Sequence, residues 1–203
     1  MKKQLIISVG REFGSGGHVI AETLAKRFDL PLYDSNILES IAQERNVDAK
    51  TLHRYDEVPR NILLSRRVRE YSTSAEENIA QMQFEYLKKK ADEGESFVVV
   101  GRCSETKLAG TPGLITIFVL GDIPVKTARI MKLHNLTEKE AKNMIEKQDR
   151  QRKMYHNYYV KGKWGDSRNY DLSINSSRMG IEKTADFLES YIRERIAEPV
   201  QEA

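Results

Sequence analysis

The sequence predicts an α/β protein built on one mainly parallel sheet, and three observations carry that prediction. Short apolar or β-branched runs alternate with segments of helical periodicity along the chain. The first run, Leu5 to Val9, passes through a glycine-rich turn directly into a helical stripe. The strongest later runs, "SFVVVG" and "LITIFVLG", are nearly continuous in apolar residues, as strands covered on both faces are.

Each element follows in order. Leu5 to Val9 is too short for the core of a signal peptide and meets a polar loop, so it reads as a first strand. Ile20, Leu24 and Phe28 then lie on one helical stripe, with Ala21 and Ala25 beside it. "DLPLYD" offers a short second strand ending near Asp34, and "NILESIAQER" is weakly helical. From Val47 to Ser74 the chain is polar, contains Pro59, and carries Arg60, Arg66, Arg67 and Arg69. That composition predicts mobile helical pieces and no core element. Glu76 to Ala91 is a clearer helix, with Ile79, Met82 and Tyr86 on one stripe and Gly94 past its end.

Val98 to Val100 and Leu114 to Leu120 are the next strands. Pro124 sits where a first helical turn can begin. "TEKE", Thr137 to Glu140, is a capping box opening a helix to about Met154. "YDLSIN" reads as a late strand, and Ile181, Ala185, Leu188 and Ile192 mark the inner face of a final helix. The last residues, "EPVQEA", are expected to fray.

The 203 residues suit one domain, and with 31% charged residues its surface is heavily charged. A net charge of only +3 argues against a general nucleic-acid binder. Cys103 is the only cysteine, which excludes an internal disulfide and a cysteine-based metal cluster and suits a reducing cytoplasm. No segment approaches the roughly 18 apolar residues of a membrane helix.

The loop "GREFGSGG" joins the first strand to the first helix. Its glycines allow positive φ and close approach of main-chain amides, and the helix start adds unpaired donors. A phosphate-binding loop and a tight turn that binds nothing both fit. No other role accounts for Gly14, Gly16 and Gly17, which favours phosphate, held from Gly14 through Ser15, Gly16 and Gly17 to His18. Against G-x-x-x-x-G-K-[ST], aligned on Gly16, Arg11 stands for the first glycine, Gly17 for lysine and His18 for the hydroxyl residue. An arginine finger is worth about 10³–10⁵ in rate. A lysine that matters on that scale must be replaced by another cation. Arg11, in the loop itself, is the first candidate. His18 suits phosphate, metal or a plain solvated helix start.

"ISVGREFGSGGHVIAETLAKRFDLPLYD", "VVVGRC" and "YYVKGKWGDSRNYDLSINSSRMGIEKTADFL" together resemble the cytidylate kinase-like family of P-loop proteins, over nearly the whole chain. That family lacks the loop lysine at the position of Gly17. The resemblance implies a P-loop kinase fold: three layers, a five-stranded parallel sheet with helices on both faces, an acceptor-binding region near 35–75 and a lid near 129–168. It implies that Asp34 and Ser35 begin the acceptor segment and that Arg102 holds the acceptor phosphate. Arg129 then stands at the lid entry, and "DRQR", Asp149 to Arg152, resembles the lid's D-x-x-R, placing Arg150 and Arg152 there. Ser40 and Cys103 replace an arginine and an aspartate of true cytidylate kinases.

Other charged clusters have plainer readings beside the functional ones. Arg150, Arg152 and Lys153 suit a solvated helix end as well as a lid. Trp164, among Lys161, Lys163 and Arg168, suits stacking on a base or, more simply, packing a loop onto the body. Asp166 reads as a turn cap, and Asp171 as a turn cap or a magnesium neighbour. His53, His134 and His156 show no metal-ligand spacing.

The expected function is ATP-dependent phosphoryl transfer to a nucleoside monophosphate, CMP or dCMP first, with Mg²⁺. Arg11, Arg129, Arg150 and Arg152 would neutralise the transferring group. The partners would be nucleotides, with no membrane and no nucleic acid. A non-catalytic nucleotide sensor, a kinase of another small metabolite and an RNA-binding module are the rivals.

Overall fold

The computed structural model describes residues 3–45, 50, 67–68, 71–72 and 75–197. Five strands form one sheet in the order β2-β5-β1-β6-β7, and every neighbouring pair is parallel. They are β1 (Ile6–Arg11), β2 (Leu32–Tyr33), β5 (Phe97–Val100), β6 (Leu114–Leu120) and β7 (Leu172–Asn175). A separate two-stranded antiparallel ladder pairs β3 (Arg67–Val68) with β4 (Tyr71–Ser72). Helical pieces were the expectation there. Most of that segment, including Arg60, Arg66 and Arg69, lies outside the described residues.

Seven α-helices complete the described chain: α1 (Gly17–Phe28), α2 (Ile37–Arg45), α3 (Ala75–Asp92), α4 (Ser104–Lys107), α5 (Ile123–His134), α6 (Glu138–Tyr159) and α7 (Ile181–Ala197). Strand side chains alternate between faces, and the two faces build two cores. Ile7, Val9, Val98, Val100, Ile117 and Val119 pack with Ile20 and Leu24 of α1 and with Ala185, Leu188 and Ile192 of α7. On the other face Ile6, Phe97 and Val99 meet Ile37, Leu38 and Ile41 of α2 and Ile79 and Leu87 of α3. This is the three-layer arrangement expected from the sequence.

The capping box at Thr137 is formed: Glu140 N–H donates to Thr137 Oγ1, and Thr137 N–H donates to Glu140 Oε2 at 2.8 Å. The helix it opens runs to Tyr159, past the expected end near Met154. Its last turns are held by tertiary packing, with Tyr155 buried beside Ala80 and Phe84 of α3. α5 and α6 pack on one another through Ile130, Ala141 and Ile145. Among the described residues no helix is long and apolar enough to cross a membrane.

Candidate active site

The carboxyl ends of β1, β5, β6 and β7 all carry loops to one edge of the sheet, where open parallel sheets form their crevices. The glycine loop follows β1. Glu12 N–H donates to Val119 O at 3.0 Å, tying the loop's first residue to β6. Gly14 and Gly16 have φ of +81° and +82°, which a side chain would strain. Ser15 is buried; its hydroxyl donates back to Glu12 O at 2.9 Å, and its carbonyl accepts from Ser176 Oγ at 2.5 Å. The loop is therefore braced by the Ser15 and Ser176 hydroxyls. The amides of Gly14, Gly16, His18 and Val19 make no hydrogen bond among the described residues. They sit at the start of α1, where unpaired donors favour an anion.

Two arginines crowd this loop. A methyl group at Gly17 would lie 2.6 Å from Cβ of Arg11. A methyl group at Gly16 would overlap an Arg129 guanidinium nitrogen and approach Ile181 Cδ1 at 2.6 Å. Arg129 is half-buried and has no hydrogen-bonding or acidic partner among the described residues, and burial alone pulls its pKa down. A desolvated cation beside unpaired amides is an arrangement that an oxyanion completes. Arg152 Nη1 donates to Arg11 O at 3.4 Å, and its guanidinium lies 5.5 Å above the Phe13 ring. Arg150 is not brought to the loop: it is exposed and pairs with Glu146 one helical turn away, at 2.7 Å.

After β5 the chain makes three left-handed residues in succession, Gly101 at φ 75°, Arg102 at 60° and Cys103 at 53°. Two of them bear side chains, and such a conformation costs about 1–3 kcal/mol each. Ser104 holds the turn, donating to Gly101 O at 2.7 Å and meeting Ser8 Oγ of β1 at 2.7 Å. The turn buries Arg102 to 3% exposure against the cleft between β1 and β5. Arg11, Arg102 and Arg152 line that cleft with Tyr155, Trp164 and Tyr170. Burial raises the Tyr170 phenol well above its ordinary pKa, so the wall it forms is uncharged. At its margin Glu105 Oε1 and His156 Nε2 form a buried pair at 2.7 Å.

The remaining expected residues fall into place as follows. His18 is half-exposed at the start of α1, 3.5 Å from Glu22 and 3.7 Å from Asp34. Asp34 accepts from the Asn36 amide at 2.9 Å, and Ser35 lies with it in the exposed turn before α2. Trp164 packs edge-on to Phe118 at 5.5 Å, and Asp166 caps the short helix Ser167–Asn169. Asp171 sits at the opposite end of β7 and accepts from Thr116 N–H at 2.7 Å, away from the loop. Cys103 is buried and in no disulfide.

Sequence reasoning missed Lys126. Its side chain is 2% exposed, and its ammonium lies 3.0 Å from Glu12 Oε2 and 2.9 Å from Asp149 Oδ2. Asp149 also accepts the Phe13 amide through Oδ1 at 2.6 Å, and Glu12 accepts the Gly121 amide at 3.1 Å. The available signal was Lys126 falling four residues before Ile130, on the buried stripe of its helix. Among the described residues no group of three or more His, Cys, Asp or Glu side chains is placed to hold a metal ion.

The family model described as the cytidylate kinase-like family matches residues 6–178. The chain is 38% identical to an uncharacterized protein from Eubacterium ventriosum ATCC 27560, with a TM-score of 0.76, covering 95% of this chain and 100% of that one. A shikimate kinase from Bacteroides thetaiotaomicron shares the fold at 13% identity and a TM-score of 0.55, covering 93% of this chain and 98% of that one. A gluconokinase from Sinorhizobium meliloti 1021 does so at 12% and 0.53, covering 97% and 95%. No curated protein matches.

Proposed function

We propose that this chain, which belongs to the cytidylate kinase-like family, transfers the terminal phosphoryl group of ATP to a nucleoside monophosphate, with CMP and dCMP the favoured acceptors. The observation that carries this reading is Arg129. It is a half-buried guanidinium without an acidic partner among the described residues, laid against Gly16 where a loop with unpaired amides begins a helix. In this reading the amides from Gly14 to His18 take the donor phosphates, and Arg129 supplies the charge that lysine gives elsewhere.

Arg11 and Arg152 stand between the loop and the β1–β5 cleft, so they serve the group in transit. Arg102 takes the acceptor phosphate, with Asp34 and Ser35 on the acceptor side. Such an acceptor has a second pKa near 6 and is already nucleophilic at neutral pH. The protein's task is then to crowd several anions together, align them and exclude water. Mg²⁺ commonly keeps several waters and binds through substrate phosphates plus one or two carboxylates. The residues present fit that mode. Asp34 beside His18 is available, whereas Glu12 and Asp149 are engaged by Lys126. When bound, the ion would offset phosphate charge.

The test is a coupled assay of the purified protein with ATP and Mg²⁺ against CMP, dCMP, UMP and AMP. Turnover led by the cytidylates is expected. Folded protein that turns over none of them overturns the proposal. Gly17 at the lysine position favours a second reading, nucleotide binding without transfer. Calorimetry showing ATP or ADP binding with no product would select it. Cys103 and Ser40 leave a different small-metabolite acceptor as a third outcome.

A further inference from the structure

Two helices approach the glycine loop, and each does so with two side chains three residues apart. α5 brings Lys126 and Arg129, and α6 brings Asp149 and Arg152. Residues at that spacing share a helix face. The second member of each pair is a guanidinium at the loop, Arg129 on Gly16 and Arg152 on the Arg11 carbonyl and Phe13 ring. The first members meet each other: Lys126 Nζ is 2.9 Å from Asp149 Oδ2.

That contact is one arm of a larger knot. The same ammonium is 3.0 Å from Glu12 of the loop. Each carboxylate also takes a main-chain amide, Asp149 that of Phe13 and Glu12 that of Gly121. The loop, the β6–α5 turn, α5 and α6 thus converge on the ammonium of one lysine whose side chain is 2% exposed. A single exposed ion pair fixes little. A buried ammonium between two carboxylates, each already oriented by an amide, fixes direction as well as distance.

We propose that Lys126 is a positioning residue for phosphoryl transfer. Through Glu12 and Asp149 it sets the glycine loop and the two arginine-bearing helix faces in one arrangement. The lysine missing at Gly17 has no counterpart in the loop; here a lysine supports the loop from the α5 side while arginines face it. The inference rests on the proposed activity for its functional half. Its mechanical half, that loop and α6 are locked together, stands by itself.

The experiment compares the full chain with Lys126→Met, Lys126→Arg and Asp149→Asn. A misplacement of about 1 Å away from the chemistry can cost about 100-fold in rate. Lys126→Met is expected to lower kcat by about that factor while the KM for the acceptor moves less than about threefold. Lys126→Arg recovers most of the loss, because it keeps the charge between the carboxylates. Amide exchange at Phe13 and along α6 rises together in Lys126→Met.

If Lys126→Met does not fold, Asp149→Asn decides. It keeps an acceptor for the Phe13 amide and removes the charge facing Lys126, so kcat should fall at least about tenfold, with a lower melting temperature because a buried ammonium loses one of its two carboxylates. Folded variants that keep kcat within about threefold overturn the proposal. A wild-type protein that neither binds ATP nor turns over any acceptor fails the activity instead. The exchange measurement then judges the lock: joint loss of protection supports it, and unchanged protection overturns it.

Discussion

A methyl group at Gly17 would meet Cβ of Arg11 at 2.6 Å and Cβ of Val119 at 3.2 Å. Restoring the lysine of the common loop pattern therefore brings a clash before it brings a charge. Gly17→Lys is expected to lower stability by about 1–3 kcal/mol, the usual cost of overpacking, and not to raise turnover. Thermal melts and the coupled assay check both halves. Arg129→Ala should reduce kcat by at least about 10³-fold if its guanidinium serves as the loop's cation, with the fold retained. Arg150→Ala, truncating an exposed pair with Glu146, should change kcat by less than about threefold. At this scale the glycines were legible because only open backbone explains them. The partner of Gly16 was not, since Arg129 lies 113 residues away and meets it through folding alone.

Helix α6 shows what local pattern carries at the scale of an element. Its start is written in Thr137 and Glu140, and the structure forms the reciprocal cap there. Thr137→Ala should cost about 1 kcal/mol, readable in denaturant melts. The Glu140 carboxyl is held below its usual pKa, first by the Thr137 hydroxyl and then by the Thr137 amide. A depressed carboxyl adds stability above its unfolded pKa and loses it as pH falls through the folded value. The deficit of Glu140→Gln relative to wild type should therefore be full at pH 7 and shrink below about pH 4. The far end of α6 was less legible. Tyr155 and His156 extend it because they pack on α3 and α4, which no local signal announces. In the same way Arg67–Val68 and Tyr71–Ser72 pair as strands within a polar segment where periodicity gave little to read.

Across the whole molecule the five strands and their parallel sense follow from apolar runs alternating with helices, so the fold class was readable before the coordinates. Strand order was not, because register between β1, β5 and β6 is decided by contacts remote in sequence. The site inherits that gap. Arg11, Arg102 and Arg152 come from three separate elements and share a cleft only because β1 and β5 are neighbours and α6 crosses their ends. A ligand that binds this edge should stabilise the entire fold. At about 100 times its Kd it adds about 2.7 kcal/mol. For a chain of this length that corresponds to roughly 5–10 °C in melting temperature. ATP and ADP should each produce such a shift in a thermal scan, and orthophosphate a smaller one. No shift with either nucleotide would remove the binding step on which the activity depends.

Trp164 is the single tryptophan of the chain, edge-on to Phe118 of β6, with its amide held at 2.8 Å by Asn157 of α6. It borders the β1–β5 cleft on one side and the groove between α5 and α6 on the other. The protein thus carries its own fluorophore where the sheet meets α6. Its emission can be followed in a stopped-flow instrument without any label. A change in colour or quenching on mixing would time the arrival and departure of ligands beside it.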